Sequence, residues 1–254
     1  MTIHHRLGPR SSSTIGDRLT IAALLLALAA GAARAETVEA NRYDSFWLWA
    51  GVAPQPALAR ARRVYLLEGE VKVGDPARLV AQRPATPHVR GVKVWMVVRV
   101  QTLDWPPSVY RQVQAALGRW RAAGNDIAGV QIDFDARTQR LADYAHFLAG
   151  LKQALPAGCQ LGITGLLDWS SHGDPAGLAA LAGVADEIVL QIYQGRHVIP
   201  GYAGYLAHLD NLKIPFRVGL LEGGDWTAPP DLEANPWFRG YVVFLRNPST
   251  QILR

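Results

Sequence analysis

The chain of 254 residues carries a formal net charge of +5, is 49% hydrophobic and contains one cysteine, Cys159. The length is sufficient for one domain with a large core, and a single cysteine excludes an internal disulfide. The positive charge is weak evidence for nucleic-acid binding, because residues 1–35 contain four of the arginines. We therefore expect a domain held together by packing, with no nucleic-acid partner.

Residues 1–35 have the pattern of a secretory signal peptide. An arginine-bearing start precedes an apolar run at about residues 19–30, and small residues precede the expected cleavage after Ala35. The apolar run is shorter than the roughly 20 residues that cross a bilayer, and an uncleaved anchor is the alternative. We expect a periplasmic or secreted protein with no membrane attachment after cleavage, a short linker at 36–44 and one domain at 45–254.

Eight β-rich runs follow one another along the chain, separated by helical or loop segments. They begin near residues 45, 62, 91, 129, 160, 186, 215 and 240. Helical patterns at 106–124 and 138–156 follow the third and fourth runs, and shorter patterns follow the fifth and sixth. This alternation predicts parallel strands with right-handed crossovers, and eight such strands close into a (β/α)8 TIM barrel of the α/β class.

Two connections of the predicted barrel lack a clear helical pattern. They are residues 70–90, between strands two and three, and residues 223–239, between strands seven and eight. We therefore expect a small barrel that is irregular at these two places. The basic sequence "RARR" at 60–63 is expected to be a solvated helix face.

The fourth run, "AGVQIDFDAR" at residues 128–137, ends in two aspartates two positions apart. Strand alternation directs Gln131, Asp133 and Asp135 into the barrel and the apolar residues between them toward the surrounding helices. TIM-barrel active sites lie at the carboxyl ends of the strands, where both aspartates fall. This placement favours a catalytic site over a purely structural role.

Other strands are expected to place polar side chains on the same inner face: Arg99 on strand three, Thr164 on strand five, and Gln191 with Tyr193 on strand six. Burial of an unpaired polar group costs about 1–3 kcal/mol, so several at one end of a barrel imply either a satisfied network or a site. Arg99, Gln131 and Gln191 are therefore candidate substrate-binding residues.

Two neighbouring carboxyl groups titrate as a pair, and one of them keeps its proton to a higher pH. Asp135 is therefore a candidate proton donor with Asp133 as its partner, and Tyr193 could hold the substrate or stabilise a cationic intermediate. In the alternative interpretation, the two aspartates form salt bridges with Arg99 and cap the next helix.

The sequence "GVQIDFD" resembles the strand-four motif of family 18 chitinases, D-G-x-D-x-D-x-E, whose last residue is the catalytic acid. In this resemblance Asp133 matches the last aspartate and Asp135 the acid, while "QIYQ" at 191–194 resembles the family's M-x-Y-D with Tyr193 on the tyrosine. Three aspartates of the family patterns are absent, and Asp135 is one methylene shorter than glutamate. The shorter acid implies either a backbone that lies closer to the sugar or an activity that differs or is lost.

Over roughly residues 40–247 the chain resembles the secreted bacterial family named domain of unknown function 3142, which is grouped with glycosidase-like barrels. This resemblance implies the barrel fold more strongly than it implies a reaction.

Aromatic residues are predicted at the mouth of the barrel. Trp49 ends strand one, and the dipeptide "DW" follows three odd-numbered strands, beginning at positions 104, 168 and 225. Indole faces suit the apolar faces of sugar rings, and aspartates accept hydrogen bonds from hydroxyl groups. We therefore expect Trp49, Asp168, Trp169 and Trp226 to bind a polysaccharide or oligosaccharide.

Glu222, at the end of strand seven, is a second candidate carboxylate. A separation of about 5–5.5 Å from the acid would imply retention of anomeric configuration, and about 6.5–9.5 Å would imply inversion. The alternative is an exposed loop glutamate before two glycines.

Two function classes remain. The first is an exported glycoside hydrolase that uses acid catalysis, and the second is a non-catalytic carbohydrate-binding barrel; in both, a monomer is expected. A metal-dependent carbohydrate deacetylase built on Asp133, Asp135 and His172 is less favoured, so no metal is predicted. The chain lacks a P-loop lysine and a G-x-G-x-x-G after a strand, so no nucleotide cofactor is expected.

Overall fold

The computed structural model describes residues 35–247, and eight parallel strands in it form a closed barrel. They are β1 (Ser45–Leu48), β2 (Arg63–Lys72), β3 (Lys93–Val100), β4 (Asp126–Asp133), β5 (Gln160–Leu166), β6 (Glu187–Gln191), β7 (Phe216–Leu221) and β8 (Phe238–Phe244). Each strand pairs with the next along the chain, and β8 pairs with β1. The predicted TIM barrel is confirmed.

Helices follow the middle strands. They are α1 (Pro107–Ala122) after β3, α2 (Leu141–Ala154) after β4, α3 (Trp169–His172) and α4 (Pro175–Ala182) after β5, and α5 (Tyr202–Leu206) after β6. Single 3-10 turns cover Ala40–Arg42, Pro56–Arg60, Thr138–Arg140 and Leu209–Asn211. Proline at the first position suits the start of α1 and α4, because the missing N–H would be unpaired there in any case.

Both connections expected to be irregular lack a helix. After β2 the chain turns back as an antiparallel strand, Asp75–Ala81, and after β7 it forms turns and the two-residue strand Asp225–Trp226. A hairpin of short strands, Tyr193–Gln194 and His197–Val198, follows β6. The connection from β1 to β2 is also reduced, to a single 3-10 turn.

The segment expected to be a linker, residues 36–44, packs on the barrel. Its strand Glu36–Thr37 pairs with Asp225–Trp226, and Val38 is buried. The predicted signal peptide at 1–35 lies, except for its last residue, outside the described part of the chain. Within residues 35–247 the structure contains no helix that is both long enough and apolar enough to cross a membrane.

The core has two parts, one outside the barrel and one inside it, and alternate residues of β4 face one or the other. Val130 and Ile132 face outward into the main core between strands and helices. A smaller apolar cluster fills the barrel interior and consists of Trp47, Tyr65, Leu67, Trp95, Val97, Val189 and Val242. Gln131 lies opposite Val97 in the β3–β4 register, on this inner face.

Two glycines make room for a tryptophan inside the barrel. The indole of Trp95 stacks on Tyr65 with ring centroids 5.7 Å apart. A Cβ atom at Gly129 would lie 2.7 Å from the Trp95 ring and 2.3 Å from the carbonyl oxygen of Gln160, and one at Gly162 would lie 2.9 Å from the same ring. Because real Cβ atoms do not approach so closely, β4 and β5 require glycine at these positions.

Substitution of Gly129 by alanine is therefore expected to lower the free energy of unfolding by about 1–3 kcal/mol, because the barrel interior would be overpacked. Gly118 is the matched control, since it lies on the exposed face of α1 with no atom within 4 Å of a built Cβ. Gly118→Ala is expected to stabilise the protein by about 0.5–1 kcal/mol. Urea denaturation measures both, and equal effects of the two substitutions would contradict the packing described here.

Candidate active site

A cavity of about 780 Å³ opens at the carboxyl ends of the barrel strands. Its wall includes seven of the predicted site residues: Trp49, Arg99, Asp133, Asp135, Asp168, Gln191 and Tyr193. They come from five different strand ends, so the closure of the barrel brings them together. The cavity has a volume typical of sites for small ligands.

Asp133 is the last residue of β4 and is only 8% exposed. Its Oδ1 accepts a hydrogen bond of 3.1 Å from the hydroxyl of Thr164. Burial raises the pKa of Asp133 to about 6; Arg99 and the Thr164 hydrogen bond oppose this, while the charges of Asp135 and Glu70 add to it. The carboxyl group therefore keeps its proton well above the pH at which an ordinary aspartate loses it.

Asp135 lies two residues beyond Asp133, in the loop after β4, and its side chain is exposed at the cavity wall. Neither the 3-10 turn before α2 nor α2 itself has a side-chain cap. Within residues 35–247 the structure gives Arg99 an ion pair with Glu70, at 3.7 Å, and none with either aspartate. The alternative of a capping pair bridged to Arg99 is therefore not what the structure shows.

Trp49 and Arg99 meet at the rim. The guanidinium carbon of Arg99 lies 4.6 Å from the centroid of the Trp49 ring, which is within the range of a cation–π contact. Phe244 packs edge-on against the same indole at 6.2 Å. These two contacts hold the half-buried indole in the cavity wall.

Tyr193 and Gln191 come from the end of β6. Tyr193 is buried against Phe244, and its pKa lies well above the usual value because of burial first and the charge of Asp133 second. Its hydroxyl therefore stays protonated and can donate a hydrogen bond. Gln191 is half-buried in the cavity wall.

Gln131 does not reach the cavity. It is 1% exposed and lies two residues before Asp133 on the same face of β4, inside the barrel. Because Gln131 is not part of the cavity wall, the prediction that it binds substrate is wrong. Neither polar atom of its side-chain amide has a hydrogen-bond partner within residues 35–247. Gln131 is therefore a polar side chain among the apolar residues that fill the barrel interior.

The tryptophan of each "DW" dipeptide points away from the cavity. Trp169 is fully buried, and its Nε1 donates to the carbonyl oxygen of Ala136 at 3.0 Å. Trp226 is 6% exposed and stacks on Tyr202 at 5.2 Å, while Trp105 is likewise buried. The expected aromatic mouth is wrong for these three, because the loops turn their indoles into the core.

Asp168, which precedes Trp169, does lie in the cavity wall. One of its carboxylate oxygens, Oδ1, is buried and has no hydrogen-bond partner among the described residues. Asp168 as a residue is half-buried in the cavity wall, which makes its carboxylate a candidate acceptor for a ligand hydroxyl.

Glu222 lies outside the cavity lining. Its carboxylate accepts hydrogen bonds from the backbone N–H of Arg246 at 3.0 Å and from the side chain of Gln55 at 3.3 Å. These hydrogen bonds connect the end of β7 to the segment after β8. The structure therefore places the predicted second carboxylate outside the cavity, in contacts that stabilise the fold.

Glu70 is a site neighbour that strand alternation missed. Alternation from Tyr65 and Leu67 would point Glu70 outward, but a bulge between Leu67 and Gly69 shifts the register. The shift pairs Glu70 with Arg99 and brings its charge within range of Asp133. The glycine within "LLEGE" was the available signal for this bulge.

The set proposed for a metal, Asp133, Asp135 and His172, does not assemble. His172 ends α3 and is not part of the cavity wall. Across residues 35–247, no three side chains of the His, Cys, Asp and Glu types are grouped so that they could hold a metal ion.

Comparisons with known proteins agree with this architecture. The profile of a family described as a domain of unknown function, DUF3142, matches residues 90–202, which run from before β3 to the start of α5. No curated protein sequence matches the chain.

Three solved structures illustrate the fold. The chitinase domain of the spore coat protein CotE from Clostridium difficile aligns with a TM-score of 0.51 and 13% identity over 82% of this chain and 73% of that chain. The spore cortex-lytic enzyme SleL from Bacillus cereus aligns with a TM-score of 0.45 and 15% identity over 74% of this chain and 51% of that chain. The xylanase and α-amylase inhibitor protein XAIP-II from Scadoxus multiflorus aligns with a TM-score of 0.48 and 11% identity over 79% of this chain and 92% of that chain.

At these identities the likeness concerns the fold alone. The chain therefore shares the TIM-barrel fold of the CotE chitinase domain, and residues 90–202 match the DUF3142 profile.

Proposed function

We propose that this protein is an exported glycoside hydrolase that cleaves a polysaccharide by acid catalysis from the two aspartates at the end of β4. The observation that carries the proposal is their placement: a buried carboxyl group, Asp133, and an exposed one, Asp135, lie together at the carboxyl end of the barrel in one cavity. Export rests on the signal-peptide pattern of residues 1–35.

The two aspartates have different roles in this proposal. Asp135, exposed in the cavity, delivers a proton to the glycosidic oxygen as the bond from that oxygen to the anomeric carbon breaks; water then adds to the carbon and returns a proton to the carboxylate. Asp133, beneath it, keeps a proton up to a pH of about 6, so the site still holds a proton where an ordinary aspartate has lost its own. Tyr193 donates a hydrogen bond to the sugar that is being cleaved, and Gln191 and Asp168 bind its hydroxyl groups.

The rim supplies the apolar contact. Trp49, held by Arg99, offers an indole edge or face at the cavity wall, and aromatic rings of this kind pack on the apolar faces of sugars. The substrate class is therefore an oligosaccharide or polysaccharide, bound along the mouth.

The test is a cleavage screen of the purified protein on chitin oligosaccharides, peptidoglycan fragments and exopolysaccharide fragments, with products identified by mass spectrometry. We expect new shorter chains from at least one of them, formed faster at pH 5 than at pH 8 because Asp133 loses its proton above about pH 6. Absence of cleavage across the set would overturn the enzymatic proposal.

A second candidate is a carbohydrate-binding barrel without catalysis. It is favoured by Asp135, which is shorter than the glutamate of the chitinase motif, and by Glu222, which is already hydrogen-bonded outside the cavity. Binding of a glycan without cleavage, by calorimetry on the same set, would select this candidate.

Both candidates predict that Trp49→Ala weakens glycan binding about tenfold or more, which corresponds to about 1.4 kcal/mol. Trp237 provides the matched control, because it is also half-buried but lies outside the cavity lining. Titration calorimetry of both variants decides the point. An equal loss of affinity in the two variants would show that the rim indole is not the sugar contact.

A further inference from the structure

The opposite end of the barrel contains a second cavity, of about 650 Å³. Its wall is formed by residues at the amino ends of the strands, among them Ser45 of β1, Arg63 of β2, Lys93 of β3 and Arg239 of β8. We call it the basic pocket. It shares no lining residue with the candidate active site, so the two sites are separate.

The basic pocket carries more positive than negative charge. Its seven cationic side chains are Arg42, Arg60, Arg62, Arg63, Lys93, Arg217 and Arg239. Their ion pairs within residues 35–247 involve four carboxylates: Glu36, Asp44, Asp126 and Glu187. The charges of Glu39 and Glu233 also reach the lining, at Arg42 and Tyr241, and the seven cations still outnumber these carboxylates.

Two of the arginines have no carboxylate partner in the described part of the chain. Arg60 donates to the backbone carbonyl of Asn41, and Arg239 donates to the carbonyls of Pro236 and Phe238 at 2.8 and 2.9 Å. Both side chains are exposed. Carbonyl contacts position a guanidinium group but do not neutralise it, so both remain available to an anion.

A buried carboxylate fixes the base of the basic pocket. Glu187 accepts hydrogen bonds from Arg63 at 2.9 Å, from Arg217 at 2.8 Å and from the hydroxyl of Tyr65. One negative charge thus holds two guanidinium groups in place. Because the groups are already ordered, a ligand would lose less free energy in immobilising them.

We propose that the basic pocket binds an acidic oligosaccharide, one whose sugar rings carry carboxylate groups. Six of the seven cations are arginines, whose planar fork matches carboxylates in two-point hydrogen bonds. Tyr43 and Tyr241, with ring centroids 5.8 Å apart, supply aromatic surface for a sugar ring between these charges.

The shape and composition favour a soluble sugar chain over a lipid bilayer. The surface is concave, and none of the pocket's lining residues is an exposed large hydrophobic side chain that could enter a membrane. Over residues 35–247 the exposed large hydrophobic residue is Val73, in the turn after β2 and outside the pocket.

The test is titration calorimetry of the purified protein with trigalacturonate. We expect saturable binding that weakens as NaCl is raised from 50 to 300 mM, because the contacts are ionic. The double variant Arg60→Gln/Arg239→Gln should lose at least tenfold in affinity. The control, Arg78→Gln/Arg140→Gln, removes two exposed arginines outside the pocket and should bind as the parent does.

Several results would overturn the proposal. They are absence of saturable binding, equal affinity of the two double variants, tighter binding of tripolyphosphate than of trigalacturonate, and binding only to phosphatidylglycerol vesicles. Asp135 lies in the other cavity, so the Asp135→Asn variant should bind trigalacturonate as the parent does. A failure of the basic pocket to bind this ligand is therefore distinct from a failure of the proposed hydrolase. Thermal unfolding of each double variant verifies that its fold is retained.

Discussion

Asp135→Asn is expected to lower the rate of glycan hydrolysis by about 10²–10⁴-fold, because asparagine has the shape of aspartate but cannot deliver a proton. Asp135 is exposed at the cavity wall, so the substitution leaves no buried group without a partner. We expect KM to change much less than kcat, since glycan contacts elsewhere in the cavity remain. Initial rates at pH 5.5, on the oligosaccharide that the parent cleaves, measure the effect.

Asp104→Asn is the matched control. Asp104 is also an exposed aspartate in the loop after a barrel strand, but it lies outside the cavity lining. Its variant should keep the parent rate within a factor of about two, as surface substitutions usually do. A rate of Asp135→Asn within tenfold of the parent, or an equal loss in Asp104→Asn, would remove Asp135 from the mechanism.

Asp133→Asn is expected to change how stability depends on pH. The pKa of Asp133 is about 6 in the folded protein against an ordinary value of 3.8. Between these values the unfolded chain has lost a proton that the folded chain still holds, so the free energy of unfolding of the parent falls as pH rises from about 4 to about 6. The separation of the two pKa values corresponds to about 3 kcal/mol.

Asparagine at position 133 does not ionise and therefore lacks this dependence. The difference in free energy of unfolding between the variant and the parent should therefore shift by about 3 kcal/mol in favour of the variant from pH 4 to pH 7. Any pH-independent effect of the substitution on stability does not alter this shift. Its Oδ1 can still accept the hydrogen bond of Thr164. Urea denaturation at both pH values measures the gain, with Asp104→Asn as the reference, and a difference that does not vary with pH would contradict the burial of an ionisable Asp133.

This stability cost has a functional meaning. A carboxyl group that destabilises the fold when charged is retained where its proton is useful, and such groups concentrate at catalytic sites. Asp133→Asn should therefore gain stability relative to the parent as the pH rises toward neutrality, and should be less active at acidic pH.

The barrel and the position of the β4 aspartates could be predicted from the sequence, because both depend on periodic patterns. The two-residue alternation of "VQIDFD" sets the face of each side chain, and the strand's length places Asp133 at its end. The same rule failed at Glu70, where a bulge interrupts the alternation between Leu67 and Gly69.

Residues in loops were less predictable, because no period fixes their direction. Trp169 and Trp226 follow strands as Trp49 does, but local packing turns them into the core. The basic pocket was missed for a different reason. The "RARR" sequence at 60–63, interpreted as a helix face, leads into β2, and its partners Arg217 and Arg239 lie far along the chain.

The central claim is that a glycan binds in the cavity at the carboxyl end of the barrel, beside Asp135. Its most direct test is a crystal structure of Asp135→Asn with the longest oligosaccharide that the parent cleaves or binds. We predict a sugar ring against Trp49, with a glycosidic oxygen about 3 Å from the side chain of residue 135. A glycan bound elsewhere on the barrel, with residue 135 facing only solvent, would contradict it.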